Sequence, residues 1–319
     1  MIRNFIVFFF LMTCMAVYPY EFQKGNVVVR DNKRFYVLDR NGKQLCEFPN
    51  SNPMLWNRDM GLITANVKER KIFFRIYKDT EKFSEITTEV SANSVQKILK
   101  NGSEILVLCT DEDGENKVLK LAFFSNKCSP IRSFVLKDPS GKAEVLDDKK
   151  AMIHDALCYH DRLWISGYPS HSGGMSCYSI VTASKNLEEL TGLFSEEDLR
   201  GETEKNLGKR IKTLSGIAGN NRGIVIYNDS DFVSVCTNPP GKLTVFSSET
   251  GDKYVLTNSI DTMTGVNWGF HAILVLNEEI LVTNCHQQVG KIYRIDKKSG
   301  EVKGIFASGI PGIEMIEIE

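Results

Sequence analysis

The 319-residue sequence lacks most of the local motifs by which catalytic sites are recognised. It contains no G-x-S-x-G nucleophile elbow, no P-loop, no G-x-G-x-x-G dinucleotide fingerprint, no H-E-x-x-H zinc motif and no protein-kinase signature. It also contains no C-x-x-C pair, which argues against a zinc ribbon. The familiar hydrolases, nucleotide-binding enzymes and kinases are therefore not indicated.

Neither sign of charge is in excess, because 39 Lys and Arg residues face 40 Asp and Glu residues, for a net charge of −1. A highly basic nucleic-acid binder is thereby excluded, and a hydrophobic content of 42% excludes a disordered tail protein. Long apolar runs are missing beyond the N-terminus, which excludes a polytopic membrane protein. The composition is that of an ordinary globular protein.

The one apolar run lies at the N-terminus, where Arg3 precedes a stretch from Phe5 to Val17. Roughly 13 residues are too few to span a bilayer comfortably and suit the core of a secretory signal. We expect residues 1–18 to be a signal peptide, with an uncleaved anchor as the alternative. The mature chain, 19–319, is then a secreted, extracellular protein without a membrane span, and the sequons at Asn101 and Asn228 predict N-glycosylation.

Removal of the signal leaves an odd number of widely spaced cysteines, so at least one thiol stays unpaired. We expect one or two disulfides at most, with the other cysteines buried as small apolar residues. The seven positions are Cys46, Cys109, Cys128, Cys158, Cys177, Cys236 and Cys285.

The chain repeats itself with a period near 49 residues. When it is shifted by 49 positions, Arg222–Leu256 falls on His271–Ile305 without a gap, and Cys236 meets Cys285. The last repeat contains four apolar strands, HAILVL, ILVTN, KIYRID and EVKGIFA, separated by polar turns or loops. Four short strands every 40–50 residues, repeated about six times, predict an all-β, six-bladed β-propeller.

The predicted blades form a single propeller domain that follows the signal peptide. A two-sheet sandwich, a pair of smaller β-domains and a seven-bladed ring are the alternatives. The tail Ile313–Glu319 alternates with period two and is expected to close the ring by pairing with the first blade. Residues 137–150 are expected to be a loop and 195–207 a short helical insertion. The blades are predicted near residues 26–49, 53–88, 93–136, 152–193, 211–257 and 266–306.

Four histidines are expected on one face of this propeller. His154 and His271 occupy equivalent positions at the starts of the first strands of blades four and six, and His171 and His286 lie in the loops after the second strands. One interpretation is a metal or proton-transfer site at the channel mouth, with Asp155 orienting His154 or joining the two histidines as a metal ligand. The other is a set of solvated histidines in polar loops.

Further ligand-binding candidates lie near the starts of other inner strands. Trp268 precedes the inner strand of blade six, and Gln96 lies early in blade three. Ser215 and Arg222 are alternatives, because the inner strand of blade five begins near one or the other. The acidic run Asp111–Asn116 is similar to the start of a calcium loop but lacks its closing Glu, so a hairpin turn is expected.

Several segments resemble the yellow/major royal jelly group of secreted insect propellers. They are similar to its D-G-L-A … L-Y-F … V-x-C-W-N and L-W-V-L-D … L-V-V-F … I-R-R-Y blades. The resemblance implies a secreted six-bladed propeller that binds a small molecule, such as a biogenic amine, in its channel. The segments are Leu214–Ala218, Ile224–Tyr227, Val233–Asn238, Glu104–Leu108, Val118–Leu121 and Ile131–Val135.

A second resemblance is to the gluconolactonase/senescence-marker family. His154-Asp155 followed by Arg162-Leu-Trp164 is similar to its N-D-G … G-R-L-W segment, and Pro53-Met-Leu-Trp56 to its E-G-P-x-W segment. The acidic ligand of the second motif is replaced by Ser51-Asn52. This resemblance implies a metal-dependent hydrolase of lactones or esters.

The sequence thus favours a non-enzymatic, monomeric propeller that binds a small molecule or an extracellular protein at its channel face. No cofactor and no nucleic-acid partner are expected. The alternative is the hydrolase, with a divalent metal at His154, Asp155 and His271. A structural or matrix role is the third hypothesis.

Overall fold

Strands provide all the regular secondary structure of the residues that the structure describes. It is a computed structural model, in which 24 strands form six four-stranded antiparallel sheets and no described residue is helical. The all-β prediction is confirmed. The described residues are 19–114, 116–136, 155–159, 162–166, 175–179, 192–193, 221–229, 231–236, 241–247, 253–260, 270–284 and 290–319.

Each sheet is one blade of the propeller and consists of consecutive strands, except that the first blade also contains the last strand. The first three blades contain β1 (Val27–Arg30), β2 (Arg34–Leu38), β3 (Gln44–Pro49) and β24 (Glu314–Glu317); β4 (Met54–Asn57), β5 (Gly61–Lys68), β6 (Lys71–Tyr77) and β7 (Phe83–Ser91); and β8 (Ser94–Asn101), β9 (Glu104–Asp113), β10 (Asn116–Ser125) and β11 (Pro130–Val135). The other three contain β12 (Asp155–Tyr159), β13 (Arg162–Ser166), β14 (Met175–Ser179) and β15 (Gly192–Leu193); β16 (Asn221–Ile226), β17 (Asp231–Cys236), β18 (Gly241–Ser247) and β19 (Lys253–Ile260); and β20 (Phe270–Val275), β21 (Glu279–Asn284), β22 (Lys291–Asp296) and β23 (Val302–Ser308).

The innermost strands of the blades form a closed ring. Each contacts the next in the order β24, β4, β8, β12, β16, β20 and back to β24. A two-sheet sandwich has no such ring, so the propeller is confirmed. The 49-residue repeat corresponds to one blade, because the two segments that the shift superimposes form β16–β19 and β20–β23.

The ring is closed by the C-terminal strand, as predicted. β24 pairs antiparallel with β1, with Val28 opposite Ile316. Beyond the strand, the Ile318 amide donates to the carbonyl of Asn26 at 2.9 Å, and the Gly25 amide donates to the carbonyl of Ile318 at 2.7 Å. The first blade therefore gains its innermost strand from the other end of the sequence.

Alternating side chains along each strand fill the spaces between neighbouring blades. In β9, Ile105 and Val107 pack toward blade two, whereas Leu106 and Leu108 pack toward blade four. Strands buried on both faces lose the simple alternation of apolar and polar residues. Full burial of each such side chain stabilises the fold by about 1.5–3 kcal/mol.

The outer turns are shaped by side chains that accept backbone hydrogen bonds. Between β2 and β3, Oδ1 of Asp39 accepts from the amides of Asn41 and Lys43 at 2.8 and 2.9 Å. Gly42 follows with φ of +84°, and a Cβ there would lie 1.8 Å from the carbonyl oxygen of Phe306. This turn therefore requires glycine for both its backbone conformation and its contact with blade six.

Two smaller predictions can be compared with the structure. The acidic run contains the end of β9 and the start of β10, and Asp113 pairs with Asn116 across the hairpin, as expected. Four cysteines, Cys46, Cys109, Cys128 and Cys158, are free thiols that are buried or half-buried, and burial raises the pKa of Cys109 to about 12. The side chains of the other three mature cysteines lie outside the described residues, so the disulfide prediction stays open.

Three predicted segments also lie outside the described residues: the signal peptide at 1–18, the loop at 137–150 and the helical insertion at 195–207. In the part of the chain that is described, no helix is long and apolar enough to cross a membrane.

Candidate ligand-binding site

The starts of the innermost strands meet at one end of the ring, which we call the channel mouth. Contacts between residues of five different blades, given below, bring these strand starts together. The channel mouth is formed by the first residues of these strands: Met54, Ser94, Asp155, Asn221, Phe270 and Glu314.

Four charged side chains form a connected network at this mouth. The Lys97 ammonium lies 2.7 Å from Oδ1 of Asp155 and 2.7 Å from Oε1 of Glu314. The Arg30 Nε–H donates to Oε2 of Glu314 at 2.8 Å. We call Arg30, Lys97, Asp155 and Glu314 the channel network. They come from β1, β8, β12 and β24, so the network joins blades one, three and four.

Backbone amides extend the channel network to two more blades. The Ile224 amide of β16 donates to Oδ2 of Asp155 at 3.0 Å, and the Met54 amide of β4 donates to Oε2 of Glu314 at 3.3 Å. The other guanidinium edge of Arg30 donates to the carbonyl of Ser51 at 2.7 Å. Both carboxylates are thus held by groups from several blades at once, which fixes their positions.

In this network burial favours the neutral form of each carboxyl group, whereas the neighbouring cations favour the carboxylate. Only 3% of the Glu314 side chain and 10% of the Asp155 side chain are exposed, against 19% for Lys97. Burial raises the pKa of Asp155, and Lys97 offsets this only in part. Burial also opposes ionisation of Glu314, but the two cations outweigh it and lower the pKa of Glu314.

The charge state of Lys97 follows from the same contacts. Burial alone favours the neutral amine, but the carboxylates of Asp155 and Glu314 outweigh it and raise the pKa of Lys97 above its usual value. Lys97 is therefore an ammonium, and at 2.7 Å from each carboxylate it pairs with Asp155 and Glu314, so the channel network joins two cationic side chains to two carboxylates. Oε1 of Glu314 contacts Lys97 as an ion pair without the alignment of a hydrogen bond.

Three innermost strands contain a β-bulge near the channel mouth. The register shifts at Gln96 in β8, at Arg222 in β16, and between Phe270 and Ile273 in β20, the segment that contains His271. A bulge places two residues opposite one and redirects the side chain that follows it. Three of the sequence-predicted candidates thus occupy irregular backbone at the same end of the ring.

The bulge in β20 is held by a buried threonine. Thr283 accepts from the Ala272 amide at 3.0 Å and donates to the Gly312 carbonyl at 2.6 Å. In β8 the side chain of Gln96 donates to Oγ of Ser94 at 2.8 Å, and Ser94 shares a hydrogen bond of 2.7 Å with Thr110. In β20 a hydroxyl therefore supplies the hydrogen bond that the irregular backbone does not make within the sheet, whereas in β8 hydroxyls hold the Gln96 side chain.

The sequence-predicted candidates divide into three groups. Asp155 and Gln96 lie at the channel mouth with their side chains described. Arg222 and His271 are described in backbone only, and β16 begins at Asn221, which resolves the ambiguity of blade five in favour of Arg222. The other candidates, His154, His171, Ser215, Trp268 and His286, lie outside the described residues.

Of the three predicted metal ligands, His154, Asp155 and His271, only Asp155 has a described side chain. The carboxylate of Asp155 contacts the ammonium of Lys97, which already supplies positive charge at that position. In the part of the chain that is described, no group of three His, Cys, Asp or Glu side chains is arranged to hold a metal. The predicted contribution of His154 and His271 lies beyond the described side chains.

Sequence reasoning missed the three residues that accompany Asp155. Lys97 and Glu314 each lie within four positions of the start of an innermost strand, and Arg30 ends the strand that pairs with β24. A search for any charged residue at predicted inner-strand starts, rather than for histidine alone, would have found Lys97 and Glu314.

Comparison with known proteins identifies the fold. No protein-family model and no curated protein matches the sequence. The chain is similar in structure to the WD40 β-propeller domain of Doa1, with 13% identity over 90% of this chain and 82% of that one and a TM-score of 0.51. It is also similar to a chain of a nidogen/laminin complex, with 9% identity over 91% and 97% of the two chains and a TM-score of 0.50. At these identities the likeness shows the fold alone, and the fold of this chain is a β-propeller.

Proposed function

We propose that this chain is a secreted, non-enzymatic β-propeller that binds a small molecule at its channel mouth, in the manner of the yellow/major royal jelly group. The observation that carries the proposal is the channel network, in which Lys97 connects Asp155 and Glu314 at the meeting point of the inner strands.

The network is poorly explained by stability. Removing charges from water is costly, and well-packed apolar residues of similar volume often stabilise a fold as well as a buried ion pair does. Four charges are nevertheless gathered at the centre of the ring, beside three bulged strands. Irregular backbone and buried polar groups that converge at one end of a fold are typical of binding sites.

If the ligand is a biogenic amine, the site must offer it a carboxylate that is not already paired. An amine ligand needs a carboxylate, and the buried carboxylates of Asp155 and Glu314 already contact Lys97. An amine therefore competes with the ammonium of the protein itself. A partner protein at the same face is the other form of the proposal, and it gains support if no small molecule binds.

Secretion would allow N-glycosylation at the two sequons. Asn101 ends β8, and Asn228 lies exposed in the turn after β16, so both are at the far end of an innermost strand from the channel mouth. Glycans at these turns leave the mouth uncovered. Expression of the full chain in a eukaryotic host, with sequencing of the mature N-terminus and glycosidase treatment of the Asn101→Gln and Asn228→Gln variants, tests this part.

The binding proposal is tested on untagged, secreted protein in two steps. Elemental analysis comes first, because a stoichiometric divalent metal with metal-stimulated turnover of lactones would replace the proposal by the hydrolase alternative. Titration calorimetry with a panel of small polar molecules and amines follows. Saturable heat that is lost in the Glu314→Gln variant supports binding at the channel mouth, whereas no heat with any compound overturns the small-molecule form.

A further inference from the structure

We propose that the ligand of the channel mouth is an uncharged polar molecule whose hydroxyl or carbonyl oxygen accepts a hydrogen bond from the ammonium of Lys97. This inference rests on the proposed function, because it names the class of molecule that the same site takes.

The first argument is the charge balance of the channel network. Arg30 contacts Glu314, and Lys97 contacts both Asp155 and Glu314, so the two cations balance the two carboxylates of the network. An anionic ligand at Lys97 is repelled by the carboxylates of Asp155 and Glu314, each of which lies 2.7 Å from the ammonium. A cationic ligand meets the ammonium itself, and in a site shielded from water either encounter is strongly unfavourable. A neutral ligand has neither cost.

The second argument concerns the hydrogen-bond donors of the Lys97 ammonium. A lysine ammonium carries three N–H donors, and the described residues contact it with two acceptors, Asp155 and Glu314. Lys97 is also the most exposed member of the network, with 19% of its side chain accessible. Among the described contacts, at least one charged donor therefore remains for a molecule in the channel, and an uncharged oxygen is the acceptor that keeps the charge balanced.

The third argument is the residue that precedes Lys97. The bulge in β8 falls at Gln96, whose amide nitrogen donates to Ser94, while its amide oxygen has no hydrogen-bond partner among the described residues. Gln96 and Lys97 are consecutive residues, so one bulge supplies both an acceptor and a charged donor, a combination that matches a hydroxyl group, which donates and accepts at once. The bulge holds both side chains at the same strand start.

The experiment compares ligands of equal shape and different charge. One set contains glucose, glucuronate and glucosamine, and the other contains tyrosol, 4-hydroxyphenylacetate and tyramine. Each is titrated calorimetrically into the wild-type protein at pH 7. We expect the uncharged member of at least one set to bind about tenfold more tightly than both charged members.

A second measurement uses the Lys97→Ala variant, which leaves the network with an excess negative charge. The space between Asp155 and Glu314 then matches a ligand ammonium, so we expect preference to change to glucosamine or tyramine, by about tenfold over the uncharged analogue. Because this variant can fold poorly, the Lys97→Ala, Asp155→Asn double variant is measured beside it. It is neutral again and is expected to regain the preference for the uncharged member.

A matched control is Lys303→Ala, which removes an exposed lysine of the outer strand β23 that pairs with Asp296 at the end of β22. It should leave the wild-type preference unchanged. If a charged member binds wild type most tightly, the inference is wrong although the channel still binds small molecules. If no member of either set binds any variant, the proposed function itself fails in its small-molecule form.

Discussion

Replacing Lys97 by methionine removes the cation that joins the two buried carboxylates of the channel network. Methionine keeps the unbranched shape of the lysine stem and supplies no charge. Asp155 then retains the amides of Ala156 and Ile224, and Glu314 retains Arg30 and the Met54 amide. The variant therefore leaves one carboxylate without a cationic partner and the other with one.

The size of the effect follows from these remaining contacts. Removing one member of a buried ion pair typically costs about 3–5 kcal/mol, since the other charge stays buried and uncompensated. Hydrogen bonds to backbone amides offset part of that cost, which puts the expected loss near the lower limit, about 3 kcal/mol. The same change at Lys71, whose partner Glu89 is 83% exposed, should alter stability by about 0.5 kcal/mol at most.

Chemical denaturation of wild type, Lys97→Met and Lys71→Met at several pH values provides the assay. The folded-state pKa of Asp155 is already raised by burial, and loss of the ammonium raises it further and removes part of what lowers the pKa of Glu314, so the folded variant binds protons that the unfolded chain does not. The free energy of unfolding of Lys97→Met should then approach that of wild type as the pH falls from about 7 towards 4.

The reasoning is refuted by either of two results. Equal, small losses for Lys97→Met and Lys71→Met would mean that the network is solvated like a surface pair. A large loss for Lys97→Met that does not shrink between pH 7 and pH 4 would mean that lost packing of the lysine stem, and not unpaired charge, causes the effect.

Three further predictions concern the same fold. The difference in unfolding free energy between wild type and Lys97→Met should shrink above about pH 10.5, because the raised pKa of Lys97 contributes stability that is lost as the pH rises through the folded value; an unchanged difference at pH 11.5 would contradict this. Thr283→Val leaves the Ala272 amide and the Gly312 carbonyl unpaired, so denaturation should show a loss of about 2 kcal/mol, against about 0.5 kcal/mol or less for the exposed Thr87→Val. Gly42→Ala, whose Cβ meets the Phe306 carbonyl, should cost about 3 kcal/mol, whereas Gly114→Ala, with nothing within 4 Å, should cost about 1 kcal/mol; equal losses would show that backbone strain alone decides.

The architecture was largely predictable because it depends on a repeated local pattern. The four strands of the last repeat coincide with β20–β23 within about two residues, and the alternating tail forms β24 as expected. Each blade buries apolar residues at the same positions of its strands, so a shift of 49 residues reveals the unit directly. The packing between blades and the closure of the ring by β24 depend on apolar strands, which the sequence pattern shows directly.

The channel network was not predictable in the same way. Its members are far apart in the sequence, with 284 positions between Arg30 and Glu314, and only ring closure brings them together. The bulge in β8 adds a second obstacle, because the extra residue at Gln96 resets the alternation and changes the face to which Lys97 belongs. Asp155 was identified through a neighbouring histidine, whereas its actual partner is a lysine from another blade.

Closure of the ring by β24 has a consequence for the timing of synthesis. A chain growing on a ribosome can complete blades two and three as they emerge, but Glu314 is translated only after all five of the other sheets have been encoded. Until that residue leaves the exit tunnel, Arg30 and Lys97 lack their shared carboxylate, and β1 is an inner edge open to other strands. The proposed binding at the channel mouth therefore requires the finished ring, and a chaperone that shields β1 during translation would protect the strand whose partner is translated last.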